Sequence, residues 1–210
     1  MEKSDTKRGG FWRNDKICDF ILNREFPHLL HSDHFESLTQ CLQKIKDIKN
    51  IIDVGCGNAE FGDVCQNVDY TGADLPHIIN KVASVQRPAF NYITFDVEQD
   101  DLSFLNNYDL VFMNAFISEM RNPIKTLGSI LDVSKKYVLI HRQNIGENNF
   151  LEEYTPYNQD LIATNCTICK DDLYKTIYDK GFKIVEICNS FPNSEKQKTF
   201  LMEKINEVVK

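Results

Sequence analysis

Ile51-Ile52-Asp53-Val54-Gly55-Cys56-Gly57-Asn58-Ala59-Glu60-Phe61-Gly62 is the stretch on which the reading of this chain turns. It opens with a short apolar run of the kind that forms a strand buried on both faces. An acidic residue and two glycines follow, and then a segment able to start a helix, read here over Asn58 to Gln66. A strand that runs through a glycine turn into a helix makes a ligand site. Backbone N–H groups face outward at the helix start, and glycine lets a ligand approach where a Cβ would stand in the way. Asp53 sits just before the turn, where a carboxylate can accept a hydrogen bond from a ligand or pin the loop.

Two ligand classes use such a turn. A nicotinamide or flavin dinucleotide asks for G-x-G-x-x-G, with the third glycine in the helix. Glu60 occupies that third position and puts a carboxylate where a pyrophosphate would lie close, which is unfavourable. A ligand without a phosphate fits better. The run Asp53-x-Gly55-x-Gly57 resembles the first motif of the class I S-adenosylmethionine-dependent methyltransferases, with Ala59 where that family often has a third glycine. The resemblance implies that Asp53, Gly55, Cys56 and Gly57 lie against the methionine part of the cofactor.

Further along, Val68 to Ala73 reads as the second strand and ends at Asp74-Leu75-Pro76. An acidic residue there, about 20 residues beyond the glycine loop, is what ribose recognition asks for, since one carboxylate can accept from both ribose hydroxyls. Phe90 to Phe95 reads as the third strand and ends at Asp96-Val97. The family resemblance implies that Asp96 bonds the adenine amino group while Val97 packs on the ring. The fourth strand, Tyr108 to Met113, runs into Asn114-Ala115, which in the resemblance border the methylsulfonium. DNA amino-methyltransferases carry two prolines here; their absence argues against transfer to an exocyclic base amine. Glu119 falls in the region where many small-molecule members carry a His-Glu or similar pair.

Asn122-Pro123 opens a helix, and Tyr137 to Ile140 reads as the fifth strand. His141 and Arg142 follow at its carboxyl end, the place where ligands bind open parallel sheets. A histidine there can take a proton from an attacking hydroxyl, so His141 is the expected base with Glu119 second, and Arg142 the expected acceptor contact. Asn144 to Asn165 reads as an irregular lid or acceptor loop that presents Tyr154 and Tyr157. Thr167 to Lys180 reads as a helix, Phe182 to Cys188 as the sixth strand, and Lys198 to Lys204 as an antiparallel edge strand.

The chain has 210 residues, 42% hydrophobic and 26% charged, enough for one α/β domain with a full core. A net charge of −7 disfavours a nucleic-acid partner. Seven cysteines are scattered apart from Cys166-x-x-Cys169, with no second pair to complete a zinc site, so no metal is expected and the thiols read as free in a reducing cytoplasm. No signal peptide and no apolar run of about 18 residues are visible.

Taken in order, residues 1–10 read as a flexible tail, 11–49 as an N-terminal helical cap and 50–210 as the cofactor-binding domain. The expected fold is a doubly wound, seven-stranded, mostly parallel Rossmann-like sheet. The resemblance implies an S-adenosylmethionine-dependent enzyme, a monomer or homodimer, releasing S-adenosylhomocysteine. The layout is similar to bacterial methyltransferases of surface-polysaccharide and secondary-metabolite pathways, which points to O-methylation of a saccharide or another polar small molecule. The alternatives are a catalytically inactive methyltransferase-like partner module and an NAD-dependent oxidoreductase.

Overall fold

The computed structural model describes residues 12–14, 16–23, 27–154 and 163–205. The tail expected over residues 1–10 lies outside them. Five parallel strands form the heart of the sheet: β1 (Asn50–Val54), β2 (Asp69–Asp74), β3 (Asn91–Thr94), β4 (Leu110–Asn114) and β5 (Tyr137–Gly146). Their order is β3-β2-β1-β4-β5. The reversal beside β1 opens a crevice at the carboxyl ends of β1 and β4, the position where doubly wound sheets bind ligands.

Two apolar layers enclose the sheet. On one face Val111, Met113, Val138 and Ile140 pack with Leu127, Ile130 and Leu131 of α5 (Pro123–Val133) and Leu173 and Ile177 of α6 (Lys170–Asp179). On the other, Leu110, Phe112, Leu139 and Leu201 pack with Phe61 and with Leu38 and Cys41 of α2 (Phe35–Leu42). Each such side chain contributes about 1.5–3 kcal/mol by leaving water, which is why consecutive residues of these strands are apolar. A third cluster seats α1 (Lys16–Asn23): its Ile17, Cys18 and Ile21 pack on Ile78 and Val82. Those two belong to a helical stretch formed by α3 (Pro76–Ile78), a π turn (Ile79–Ala83) and α4 (Ser84–Gln86). With the 3-10 turn Leu29–His31, α1 and α2 form the helical elements expected before the sheet.

Four elements differ from the sequence reading. The helix expected over Asn58 to Gln66 is a single 3-10 turn, Glu60–Asp63, entered through Ala59 at φ 60°. Gly62 and Asp63 are weak helix formers, and the carboxylates of Glu60 and Asp63 bond groups outside the turn. The irregular loop expected over Asn144 to Asn165 holds a hairpin instead. β5 runs on to Gly146, and β6 (Phe150–Tyr154) pairs antiparallel with β7 (Ala163–Cys169), which itself joins β5 in parallel at Ile145 and Gly146. The helix expected from Thr167 begins only at Lys170, because Thr164, Cys166 and Ile168 turn alternate side chains inward as a strand does.

The last difference is the place of the final strand. β9 (Ser194–Lys204) is no edge: it lies antiparallel between β5 and β8 (Phe182–Phe191). Thr199, Phe200, Leu201 and Met202 are all buried, so both faces of β9 are covered. Among the described residues the sheet therefore has the seven expected strands plus the β6–β7 hairpin, nine in all. No helix among the described residues is long and apolar enough to cross a membrane.

Candidate functional site

A cavity of about 560 Å³ opens at the carboxyl ends of β1, β2, β4 and β5, roofed by Trp12, Phe20, Ile21 and His34 of the N-terminal segment. Asp53, Gly55, Cys56, Gly57, Asp74, Leu75, Asp96, Val97, Asn114 and Ala115 all line it, as do Glu119 and Arg142.

The glycine loop is built for close approach. Gly55 and Gly57 have φ of +75° and +55°, the left-handed region that glycine enters without a Cβ clash. A Cβ on Gly55 would stand 2.2 Å from Phe116 Cδ2, whereas one on Gly57 would meet nothing within 4 Å. The backbone above Gly57 thus faces open space, room that a ligand can fill. Asp74 supports the same loop: its Oδ2 accepts the Gly57 N–H at 2.9 Å and its Oδ1 accepts the Leu75 N–H at 2.7 Å. Burial pushes its carboxyl up to about 6, against the two backbone N–H bonds that favour the ion. Asp53 is buried and accepts the Tyr70 hydroxyl at 2.8 Å; burial pushes it up to about 7, against that hydrogen bond.

Glu60, the residue that disfavours a pyrophosphate, is committed to the protein. Its Oε2 accepts the Leu29 N–H at 3.0 Å and its Oε1 accepts from Asn58 Nδ2 at 2.7 Å. Asp63 accepts from Arg87 Nε at 2.8 Å and lies 2.9 Å from His28 Nε2, while Arg87 also donates to Asn58 O at 2.6 Å. Loop and cap are therefore tied by two carboxylates, which the sequence reading did not foresee.

Asp96 sits at the end of β3 with both carboxylate oxygens bonded by Arg13, at 2.9 and 2.7 Å from Nη2 and 3.0 Å from Nε. Arg13 Nη2 also reaches Glu98 at 3.0 Å. Glu119 turns its Oε2 toward Trp12 Nε1 at 3.5 Å, and burial pushes its carboxyl up to about 7. Trp12 is held in turn by its carbonyl, 2.7 Å from His77 Nε2. Neither Trp12 nor Arg13 carries any signal in the sequence; both arrive from more than eighty residues away.

His141 is where the structure departs most from expectation. It does not line the cavity and is fully buried. Its Nε2 lies 2.9 Å from His34 Nδ1, and its Nδ1 lies 2.7 Å from Thr199 Oγ1. The expected base thus stands behind His34, which fills the place at the cavity wall. Along β5 the residues Tyr137, Leu139 and His141 share the face toward α2, so strand alternation aims His141 at the cap. At that point β5 is bulged. Ile140 pairs with Phe200 and Gln143 with Lys198, leaving His141 and Arg142 opposite Thr199 alone. The bulge places Arg142 at φ 58° and turns its guanidinium to the cavity, where Nε donates to Asn114 Oδ1 at 2.8 Å. The side chain of Tyr154 and all of Tyr157 lie outside the described residues. Among those residues, no group of three or more His, Cys, Asp or Glu stands close enough to hold a metal ion.

Comparison with known proteins bears on this arrangement. No curated protein matches the chain. Solved structures do share its fold. A S-adenosylmethionine-dependent methyltransferase from Clostridium acetobutylicum superposes with a TM-score of 0.63 at 12% identity, over 91% of this chain and 97% of that one. CalS10, an amino pentose methyltransferase from Micromonospora echinaspora with S-adenosylmethionine bound, gives 0.60 at 10% identity, over 90% and 95%. The magnesium protoporphyrin IX methyltransferase of Synechocystis gives 0.62 at 11% identity, over 97% and 98%. The family described as "Methyltransferase domain" matches residues 23–187. The chain belongs to the methyltransferase domain family and has the Rossmann-like fold of class I S-adenosylmethionine-dependent methyltransferases.

Proposed function

We propose that this protein transfers the methyl group of S-adenosylmethionine to a hydroxyl of a saccharide or another polar small molecule and releases S-adenosylhomocysteine. The observation that carries the reading is the pairing of Asp74 with the N–H of Gly57, beneath free space. Asp74 then receives the ribose hydroxyls, and Asp53, Gly55, Cys56 and Gly57 face the methionine part. Leu75 and Val97 flank the adenine, with Asp96 at its amino group and Asn114 and Ala115 beside the sulfonium. When bound, the cofactor supplies an electrophilic methyl group, and the protein has to hold an acceptor in line with it; orientation alone is worth up to about 7–11 kcal/mol. Arg142 and Glu119 are the polar groups on the acceptor side, with Tyr154 and Tyr157 proposed to join them.

Size supports a small acceptor. A cavity of about 560 Å³ that also takes the cofactor leaves space for a sugar ring, and the macrocycle named for the Synechocystis protein is a poorer fit than the amino pentose named for CalS10. Residues 11–49 are proposed as the cap over this cavity and 50–210 as the catalytic domain, acting in the cytoplasm.

Calorimetry with S-adenosylmethionine and S-adenosylhomocysteine tests the cofactor; micromolar binding is expected, and none by a folded protein sinks the reading. NADH binding seen by fluorescence would favour a dehydrogenase instead. Mass spectrometry of methyl glycosides incubated with enzyme and S-adenosylmethionine tests the acceptor, with one added methyl expected.

A further inference from the structure

His34 lines the cavity at the start of α2, with its Nδ1 2.9 Å from Nε2 of the buried His141. His141 Nδ1 lies 2.7 Å from Thr199 Oγ1. A hydrogen bond between two neutral imidazoles needs one N–H and one bare nitrogen, so neighbouring groups set the tautomer of each ring. Ser32 marks the direction. Its hydroxyl donates to Leu29 O at 2.7 Å, and its oxygen lies 3.2 Å from His34 Nδ1. With its only proton on the carbonyl, Ser32 Oγ can only accept from His34, so His34 Nδ1 carries a proton, shared between Ser32 Oγ at 3.2 Å and His141 Nε2 at 2.9 Å. The far end agrees. His141 donates from Nδ1 to Thr199 Oγ1, whose own proton can go to Ser190 Oγ at 3.0 Å or Ser37 Oγ at 3.4 Å. Ser37 donates to His34 O at 2.9 Å and keeps its oxygen free to accept.

His34 Nε2 is thereby left bare. No described residue bonds it, and it is not among the buried atoms cut off from solvent. We propose that His34, fixed in this tautomer by His141 and Thr199, accepts the proton of a hydroxyl bound in the cavity. The inference rests on the methyl-transfer reading above. The acceptor oxygen gains the methyl carbon, the electron pair of the broken carbon–sulfur bond stays on sulfur, and the hydroxyl proton goes to His34 Nε2. His34 is then an imidazolium whose Nδ1–H already points at His141 Nε2, so the new charge is shared by the second ring without rearrangement. Burial, with Arg142 nearby, holds His34 down at about 4 beforehand, so the ring is neutral and its lone pair available. His141 is a positioning residue, and Glu119 is the competing base in the same cavity.

The closing experiment reads the tautomers directly, by 15N-resolved NMR of the histidine rings in the full chain, without cofactor or acceptor. His34 and His141 are both expected as Nδ1–H; a protonated Nε2 on His34 overturns the proposal. Thr199→Val removes the oxygen that receives the His141 proton. Both rings are then expected to flip to Nε2–H, and an unmoved His34 overturns the positioning by this chain of bonds. Turnover of methyl glycosides is expected to fall on the order of 10²–10⁴-fold in His34→Ala, with part restored by added imidazole and with S-adenosylhomocysteine affinity unchanged. Full turnover in His34→Ala beside lost turnover in Glu119→Gln gives the role to Glu119. If wild-type protein binds no S-adenosylhomocysteine, the methyl-transfer reading has failed, and the NMR result still decides the tautomer.

Discussion

The two halves of the cavity are made in different ways. The cofactor half is short-range: Asp53, Gly55, Gly57 and Asp74 come from two adjacent strands, and Asp74 bonds a loop 17 residues away. The acceptor half is long-range: His34 meets His141, and Trp12 meets Glu119, each across 107 residues. A turn motif carries its geometry wherever it occurs, whereas a wall built from a cap, a bulged strand and an interior strand exists only once all three have packed. On the proposed function, recognition of the common ligand sits in the local half, and selection of the acceptor in the half that sequence spacing does not encode.

The sharpest way to break this contrast is inside the glycine loop. Gly55→Ala would set a Cβ 2.2 Å from Phe116 Cδ2 on left-handed backbone, and is expected to cost about 2–6 kcal/mol of folding stability. Gly57→Ala has no such clash and should lose only about 1–2 kcal/mol of backbone strain, while its methyl blocks the cofactor. Denaturant unfolding of both variants checks the order; equal losses would mean that the loop is not packed as described. Next, Asp74→Ala is expected to weaken S-adenosylhomocysteine binding by about 2–4 kcal/mol in calorimetry, by removing both ribose acceptors. The same group gives a pH signature. Its carboxyl is raised to about 6, so it is ionised above that pH and protonated below it. Affinity should fall as pH drops through 6, and Asp74→Asn should abolish that slope. Smallest is Tyr70→Phe, which takes away the hydroxyl donor to Asp53 and should cost about 1 kcal/mol in unfolding experiments.

Much of the local half was readable from residue order. The apolar run before Gly55 and the acid at the end of β2 each follow from strand and turn chemistry. His141 shows where such reading stops. Its place at a strand end is right for a ligand contact, yet the alternation through Tyr137 and Leu139 already aims it away, and that signal was there to use. Its partner His34 precedes a short helix and looks like an ordinary flanking residue. Only folding brings α2 over β5. The buried run Phe200-Leu201-Met202 was likewise a sign of a central strand, since an edge strand has no need of apolar residues on both faces. Arg142 reaches the cavity for a reason that strand geometry alone would not give, because the bulge turns it there.

The interior place of β9 has a consequence for the order of assembly. As the chain leaves the ribosome, Tyr137 to His141 of β5 have only β4 to pair with, and the edge that β9 will cover stays bare until β6, β7, α6 and β8 have all been made. Until then Val138, Leu139 and Ile140 border an open edge, a template for pairing with another nascent chain. The β8–β9 hairpin closes that edge, and Thr199 enters with it. The histidine pair therefore receives Thr199 in the step that ends the exposure, so on the proposed role of His34 the protein would gain competence for proton transfer only as that edge is closed.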